Sequence, residues 1–173
     1  MSDNLDLLFG FVSDAQVREK LQQSGDRIRR SFEELFSGYS RRAEDVLNNV
    51  VQVKDYTGIV TVEKINFYSM CEHHFAPFFG TASVSYEPFE IITGLGKIVR
   101  LVRDVHARRL QIQEIMTRDI AEDIMRILKA KGAFVVTEAT HLCMCSRGPM
   151  DNTAKTTVTY GCGTLRKESW ISG

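Results

Sequence analysis

Residues 59–86, IVTVEKINFYSMCEHHFAPFFGTASVSY, decide how the rest of the chain is read. The run up to Met70 is dense in β-branched and aromatic residues and reads as a strand. Gly80–Tyr86 alternates apolar and polar positions and reads as its antiparallel neighbour. Between them lies Cys71-Glu72-His73-His74, a thiol and two imidazoles placed directly after a strand. Soft thiolate and imidazole within a few residues suit zinc, but two ligands do not complete a site, so a third must come from elsewhere.

Moving outward, KIVRLVRDVHARRL (97–110) places Ile98, Leu101, Val102 and Val105 at helical spacing. EIMTRDIAEDIMRILKAKG (114–132) continues as a second amphipathic helix closed by Gly132. AFVVTEATHLCMCS (133–146) and TAKTTVTYGCG (153–163) supply two more strands. The order β-β-α-α-β-β predicts an α+β domain: an antiparallel four-stranded sheet with two helices inserted between its strand pairs and packed on one face. Ahead of this unit, Ser13 and Asp14 can cap a helix running to about residue 23. A second helix is expected over Asp26–Phe36, with Ile28, Phe32, Leu35 and Phe36 on one face and Gly38 as its stop. AEDVLNNVV (43–51) reads as a short helical piece. The expected division is a helical segment over 1–57 and a catalytic domain over 58–173. Pro77, Pro88 and Pro149 read as punctuation.

The later strand offers His141, Cys143, Cys145 and Arg147 at i, i+2 spacing, which in a strand puts all four on one face. A third ligand from this strand, added to Cys71 and a histidine of the cluster, is expected to make an open site whose fourth position is left for water, the arrangement of catalytic zinc. Zinc lowers the pKa of bound water to roughly 7. Cys145 is open between a bystander, an alternative ligand and a disulfide partner. Cys162 reads as a small hydrophobe, and His106, flanked by arginines, as a surface or interface residue.

The 173 residues carry 22 basic and 22 acidic side chains. That balance gives no bulk attraction to nucleic acid or to an anionic membrane surface. No run approaches a membrane span, and MSDNLDLLFGFVSD does not read as a secretory leader. Four cysteines are too few for a secreted disulfide scaffold, so a cytoplasmic, reduced protein is expected.

FYSMCEHHFAPFFG, GLGKIVR, ARRLQIQE, EATHLCMCSRG and the threonine-rich last strand, in that order, resemble the GTP cyclohydrolase I family. The likeness runs from about Asp26 to Arg166. It implies the tunnelling fold, whose subunits assemble into a toroidal homodecamer with active sites at subunit interfaces. It implies Zn2+ held by Cys71, His74 and Cys143, with His73 and His141 as the catalytic proton-transfer residues. Glu114, with Gln113 beside it, would grip the guanine edge of GTP. Lys97, Arg100 and Arg147 would hold the triphosphate, joined by Arg27 and Arg30. The implied reaction is hydrolytic opening of the purine imidazole ring at C8 with loss of formate. Rearrangement then gives 7,8-dihydroneopterin triphosphate, the start of a pteridine/folate or deazapurine pathway.

The chain also departs from the family pattern. Gly96 stands where the family usually has serine, Ser24-Gly25 replaces the usual Thr-Pro, and Pro88-Phe89-Glu90 lacks the common Asn-Gly turn. The closing LRKESWISG lacks the customary final helix. Two alternatives stay open on these grounds: a cyclohydrolase acting on another guanine nucleotide, and a non-catalytic protein that binds zinc and nucleotide.

Overall fold

The computed structural model describes residues 10–166. The expectations that the start is no secretory leader and that LRKESWISG lacks a final helix fall largely on residues 1–9 and 167–173, outside the described residues. The chain divides into two compact units between Leu35 and Phe36. The first holds α1 (Ala15–Gln23) and α2 (Gly25–Leu35). Asp14 caps α1 as expected, its carboxylate accepting from the backbone N–H of Gln16 at 2.8 Å and of Val17 at 3.2 Å. Arg27 and Arg30 lie on α2, which buries none of its residues.

The second unit is α+β. Its long strands are β2 (Val60–Cys71), β3 (Ala76–Glu87), β6 (Gly132–His141) and β7 (Thr156–Gly163), paired antiparallel in sequence order. The short β5 (Leu110–Gln111) runs parallel to the end of β2, so the sheet has five strands and not the four expected. Two residues between turn signals carry no periodicity, which is why this strand is invisible in the sequence. The expected helix over 43–51 is confined to α3 (Ala43–Val46). β1 (Val50–Gln52) pairs instead with β4 (Ile91–Thr93) in a separate two-stranded ribbon. Pro77 lies inside β3, opposite Met70 and one residue before pairing with β6 begins.

Helix α4 (Leu95–Arg100) runs into a π-helical segment, Leu101–His106. The long α5 (Gln113–Leu128) comes next, turning Met116, Ile120, Ala121, Ile124 and Leu128 inward against β6 and β7. The core lies between this helical layer and one sheet face, where Phe67, Phe78, Val84, Tyr86 and Val135 are sealed from solvent. Phe67 and Phe78 meet edge to face at 5.9 Å, a geometry worth about 0.5–1.5 kcal/mol beyond the area it buries.

His106 is not the surface residue its arginine neighbours suggest: it is buried, and its Nε2 lies 3.0 Å from Asp123 Oδ2 on α5. Burial alone would raise the Asp123 carboxyl, but hydrogen bonds from His106 and Arg126 hold it below the usual carboxylate range. His106 closes the π-helical segment and is buried along with Leu101, Val102 and Val105.

β3 and β6 approach closely at Gly80, opposite Ala139, where a Cβ would lie 1.8 Å from the Glu138 carbonyl oxygen. Gly80→Ala must therefore push the strands apart. It is expected to cost about 3 kcal/mol, the upper end for overpacking, measured as a fall in the denaturant midpoint with folding still cooperative.

Candidate metal centre

Strand β2 ends at Cys71, and the four-residue turn Glu72–Phe75 leads into β3. Phe75 takes a left-handed backbone (φ 50°), and its N–H donates to the Cys71 carbonyl, closing the turn. β5 fixes the other side: Gln111 is the register partner of Cys71, and its carbonyl accepts from Glu72 N–H at 3.0 Å. His73 and His74 stand exposed on this turn.

Strand β6 ends at His141, and Leu142–Cys145 forms one helical turn, α6. This corrects the expectation that His141, Cys143, Cys145 and Arg147 share a strand face. The Leu142 carbonyl accepts from both Ser146 N–H (2.9 Å) and Ser146 Oγ–H (2.7 Å), which closes the turn. A helical turn sends residues two apart to different sides. Cys143 comes back over β2, and Cys145 does not join it.

The result is a group of three donors. Cys71 Sγ, a His74 ring nitrogen and Cys143 Sγ all lie within 4.8 Å of one another, with both thiols buried and His74 exposed. Cys71 Sγ and His74 Nδ1 are 3.8 Å apart. Burial pushes the Cys143 thiol up, the neighbouring Cys71 adds to this, and the charge of Arg147 works against it. Two thiols and an imidazole converging in this way match the donor set of a soft or borderline metal ion, with a side open to solvent. The site could bind a metal.

Cys71, His74 and Cys143 line a cavity of about 340 Å³ together with His73, Gln113, Glu114 and His141. The His141 ring stacks flat on Phe78, its cross-strand partner, with centroids 4.5 Å apart and an interplanar angle of 3°. Burial pushes the His141 imidazole below its ordinary range, while the negative charge of Glu114 pulls it back. Glu114 is exposed in the first turn of α5. Gln113 is buried, so its amide is spent inside the protein. Lys97 and Arg100 lie on α4 and Arg147 on the exposed loop after α6. No lysine or arginine is among the described residues lining the cavity. A larger cavity of about 620 Å³, bounded by Tyr56, Phe89, Lys54 and Lys131, holds no thiol or imidazole.

A profile of the GTP cyclohydrolase I family matches residues 1–171. The chain belongs to the GTP cyclohydrolase I family. Among its relatives is the GTP cyclohydrolase 1 of Wolinella succinogenes, 44% identical over 148 residues, covering 86% of this chain and 79% of that one. The Campylobacter jejuni relative of the same name is 41% identical over 155 residues, covering 90% and 81%. A solved structure titled as an apo archaeosine synthase QueF-Like gives a TM-score of 0.49 at 15% identity, over 65% of this chain and 99% of that one.

In this member of the GTP cyclohydrolase I family, the donor group makes a direct prediction about metal content. Cys71→Ser or Cys143→Ser is expected to lower bound metal per chain at least tenfold, measured by elemental analysis after dialysis. Cys145→Ala is expected to leave it unchanged.

Proposed function

We propose that this chain hydrolyses GTP at C8 of the purine imidazole ring, releases formate and yields 7,8-dihydroneopterin triphosphate. The observation that carries this reading is the meeting of a three-donor metal group with His73, His141 and Glu114 around one cavity. The metal assigned is zinc, held by Cys71, His74 and Cys143. Zinc in that position supplies Lewis-acid activation of water at neutral pH.

The chain's own residues carry the remaining work. His73, exposed on the turn, is assigned protonation of purine N7. His141, whose half-buried ring disfavours the charged form, is assigned proton movement during ribose opening. The Glu114 carboxylate can accept from two adjacent guanine N–H groups, a paired contact that discriminates guanine from adenine. The triphosphate is assigned to Lys97, Arg100 and Arg147, with Arg27 and Arg30. Because the described cavity lining holds no lysine or arginine, these charges are taken to reach the nucleotide where copies of the chain adjoin, in a homodecamer. A cytoplasmic setting is assigned because four cysteines are too few for a secreted disulfide scaffold. The product fits the start of a pteridine/folate or a deazapurine pathway.

The direct test is a formate assay with a fluorescence readout of the oxidised product. Turnover with GTP is expected, its loss on chelation, and recovery when zinc is restored. His141→Ala is expected to lower kcat by about 10²-fold or more. Zinc-replete protein that releases no formate from GTP would refute the assignment.

A second reading, a preference for another guanine nucleotide, is favoured by Gly96. A Cβ there meets nothing within 4 Å, so the serine usual in the family fits without displacing a neighbour. Gly96→Ser is expected to lower KM for GTP about tenfold, the worth of one charged hydrogen bond of about 1.5 kcal/mol. KM for GMP is expected to stay unchanged. A wild-type kcat/KM higher for GDP or GMP than for GTP would establish the second reading.

A further inference from the structure

The Gln113 amide is surrounded in a way that leaves its orientation no freedom. Its Nε2 lies 3.2 Å from the Thr137 carbonyl, 3.1 Å from the Thr156 carbonyl and 3.0 Å from Thr137 Oγ1. Backbone carbonyls only accept, so the amide atom facing them must be the NH2. The neighbouring hydroxyls agree with this. Thr117 Oγ1 donates to the Gln113 carbonyl at 2.7 Å. Thr137 Oγ1, 2.7 Å from Thr117 Oγ1, therefore donates there and keeps its lone pairs for Gln113. Gln113, Thr117 and Thr137 are all buried, so a flipped amide would leave carbonyls facing an oxygen with no donor between them.

With NH2 turned inward, Gln113 Oε1 is left facing His141 Nε2 at 2.8 Å. An amide oxygen can only accept, so Nε2 must carry the proton. In the neutral ring Nδ1 of His141 then holds the lone pair. It has no hydrogen-bond partner among the described residues and is not sealed from solvent, while the ring itself lines the cavity. Stacking on Phe78 fixes the plane of the ring, and Gln113 fixes its rotation within that plane.

We propose that Gln113 is a positioning residue that locks His141 as the Nε2–H tautomer, so that Nδ1 is the nitrogen presented to substrate. This rests on the proton-transfer role assigned to His141 above and replaces the guanine contact that resemblance implies for the Gln113 side chain. The guanine edge is left to Glu114. Positioning of this kind contributes to the chemical step without adding a contact to the nucleotide.

The test combines a spectrum with kinetics. Histidine-selective ¹⁵N NMR of the substrate-free protein, recorded above the imidazole titration range, reports which ring nitrogen holds the proton. The His141 signals are assigned by their loss in His141→Gln. The expected result is a protonated, slowly exchanging Nε2 and a bare Nδ1. A proton on Nδ1 would overturn the proposal whatever any variant does. Gln113→Met keeps the volume and removes the amide. It is expected to abolish the slow exchange at Nε2 and lower kcat about 100-fold, with GTP affinity by calorimetry held within about twofold. Weakened GTP binding with kcat and the Nε2 signal retained would instead make Gln113 a guanine ligand. The outcomes separate the two levels of inference: full formate release by His141→Gln defeats the catalytic reading, whereas the substrate-free spectrum judges the positioning alone.

Discussion

The antiparallel register of β2, β3 and β6 governs everything at the cavity. Phe78 sits between Ser69 on β2 and His141 on β6, and two residues earlier on β3 Ala76 faces Cys71. That alignment brings the end of β2 and the end of β6 to the same edge of the sheet, where both chains turn. A slip of one residue in either pairing would send the whole set of side chains to the opposite face. Phe67 and Phe78 would leave the core, and His141 would lose its stacking surface. The apolar packing that stabilises the sheet and the placement of the donors are therefore the same constraint, since no register satisfies one without the other.

A second constraint is polar. Buried Thr117, Gln113 and Thr137 and half-buried His141 form one chain of hydrogen bonds that links α5 to β6, with the Thr156 carbonyl at the start of β7 joining in. Polar groups in a core are tolerated only when every member is satisfied, because each unpaired donor or acceptor costs about 1–3 kcal/mol. Here satisfaction has a direction. Two backbone carbonyls orient an amide, and the amide orients an imidazole, so the fold specifies a hydrogen position as well as atomic positions.

The strands and the long helix are legible in the sequence because their periodicities are strong. β-branched density marks β2, alternation marks the end of β3, and the spacing of Met116, Ile120 and Ile124 tracks α5 through its full length. Cys71, His74 and Cys143 are legible as metal donors, yet Cys143 reaches the other two by a route the spacing does not predict. The alternation of HLCMC implies a strand through Cys145, whereas the hydrogen bonds from Ser146 turn the chain into a helix at Leu142. A four-residue helix leaves no periodic trace, so alternation is the only pattern left to read. The buried roles of Gln113 and His106 are hidden for a different reason. Both depend on partners 24 and 17 residues away in sequence, and no local pattern reports such a contact. Two glutamines in QIQE look alike as text, but Gln111 donates to the His106 carbonyl and Gln113 accepts from His141.

The π-helical segment Leu101–His106 joins α4, which carries Lys97 and Arg100, to β5, which pairs with the end of β2 at Cys71. Such a segment holds one residue more than an α-helix would place in the same rise. Its geometry acts as a phase setting between the helix on its N-terminal side and the strand on its C-terminal side. Rewinding the same six residues as ordinary α-helix would rotate α4 relative to His106 and β5, because each residue would then sweep about 100°. Lys97 and Arg100 would then face a different direction while the sheet and the donors stayed in place. Chains of this kind that differ in the winding of this segment would share a core yet present their basic side chains to different surroundings.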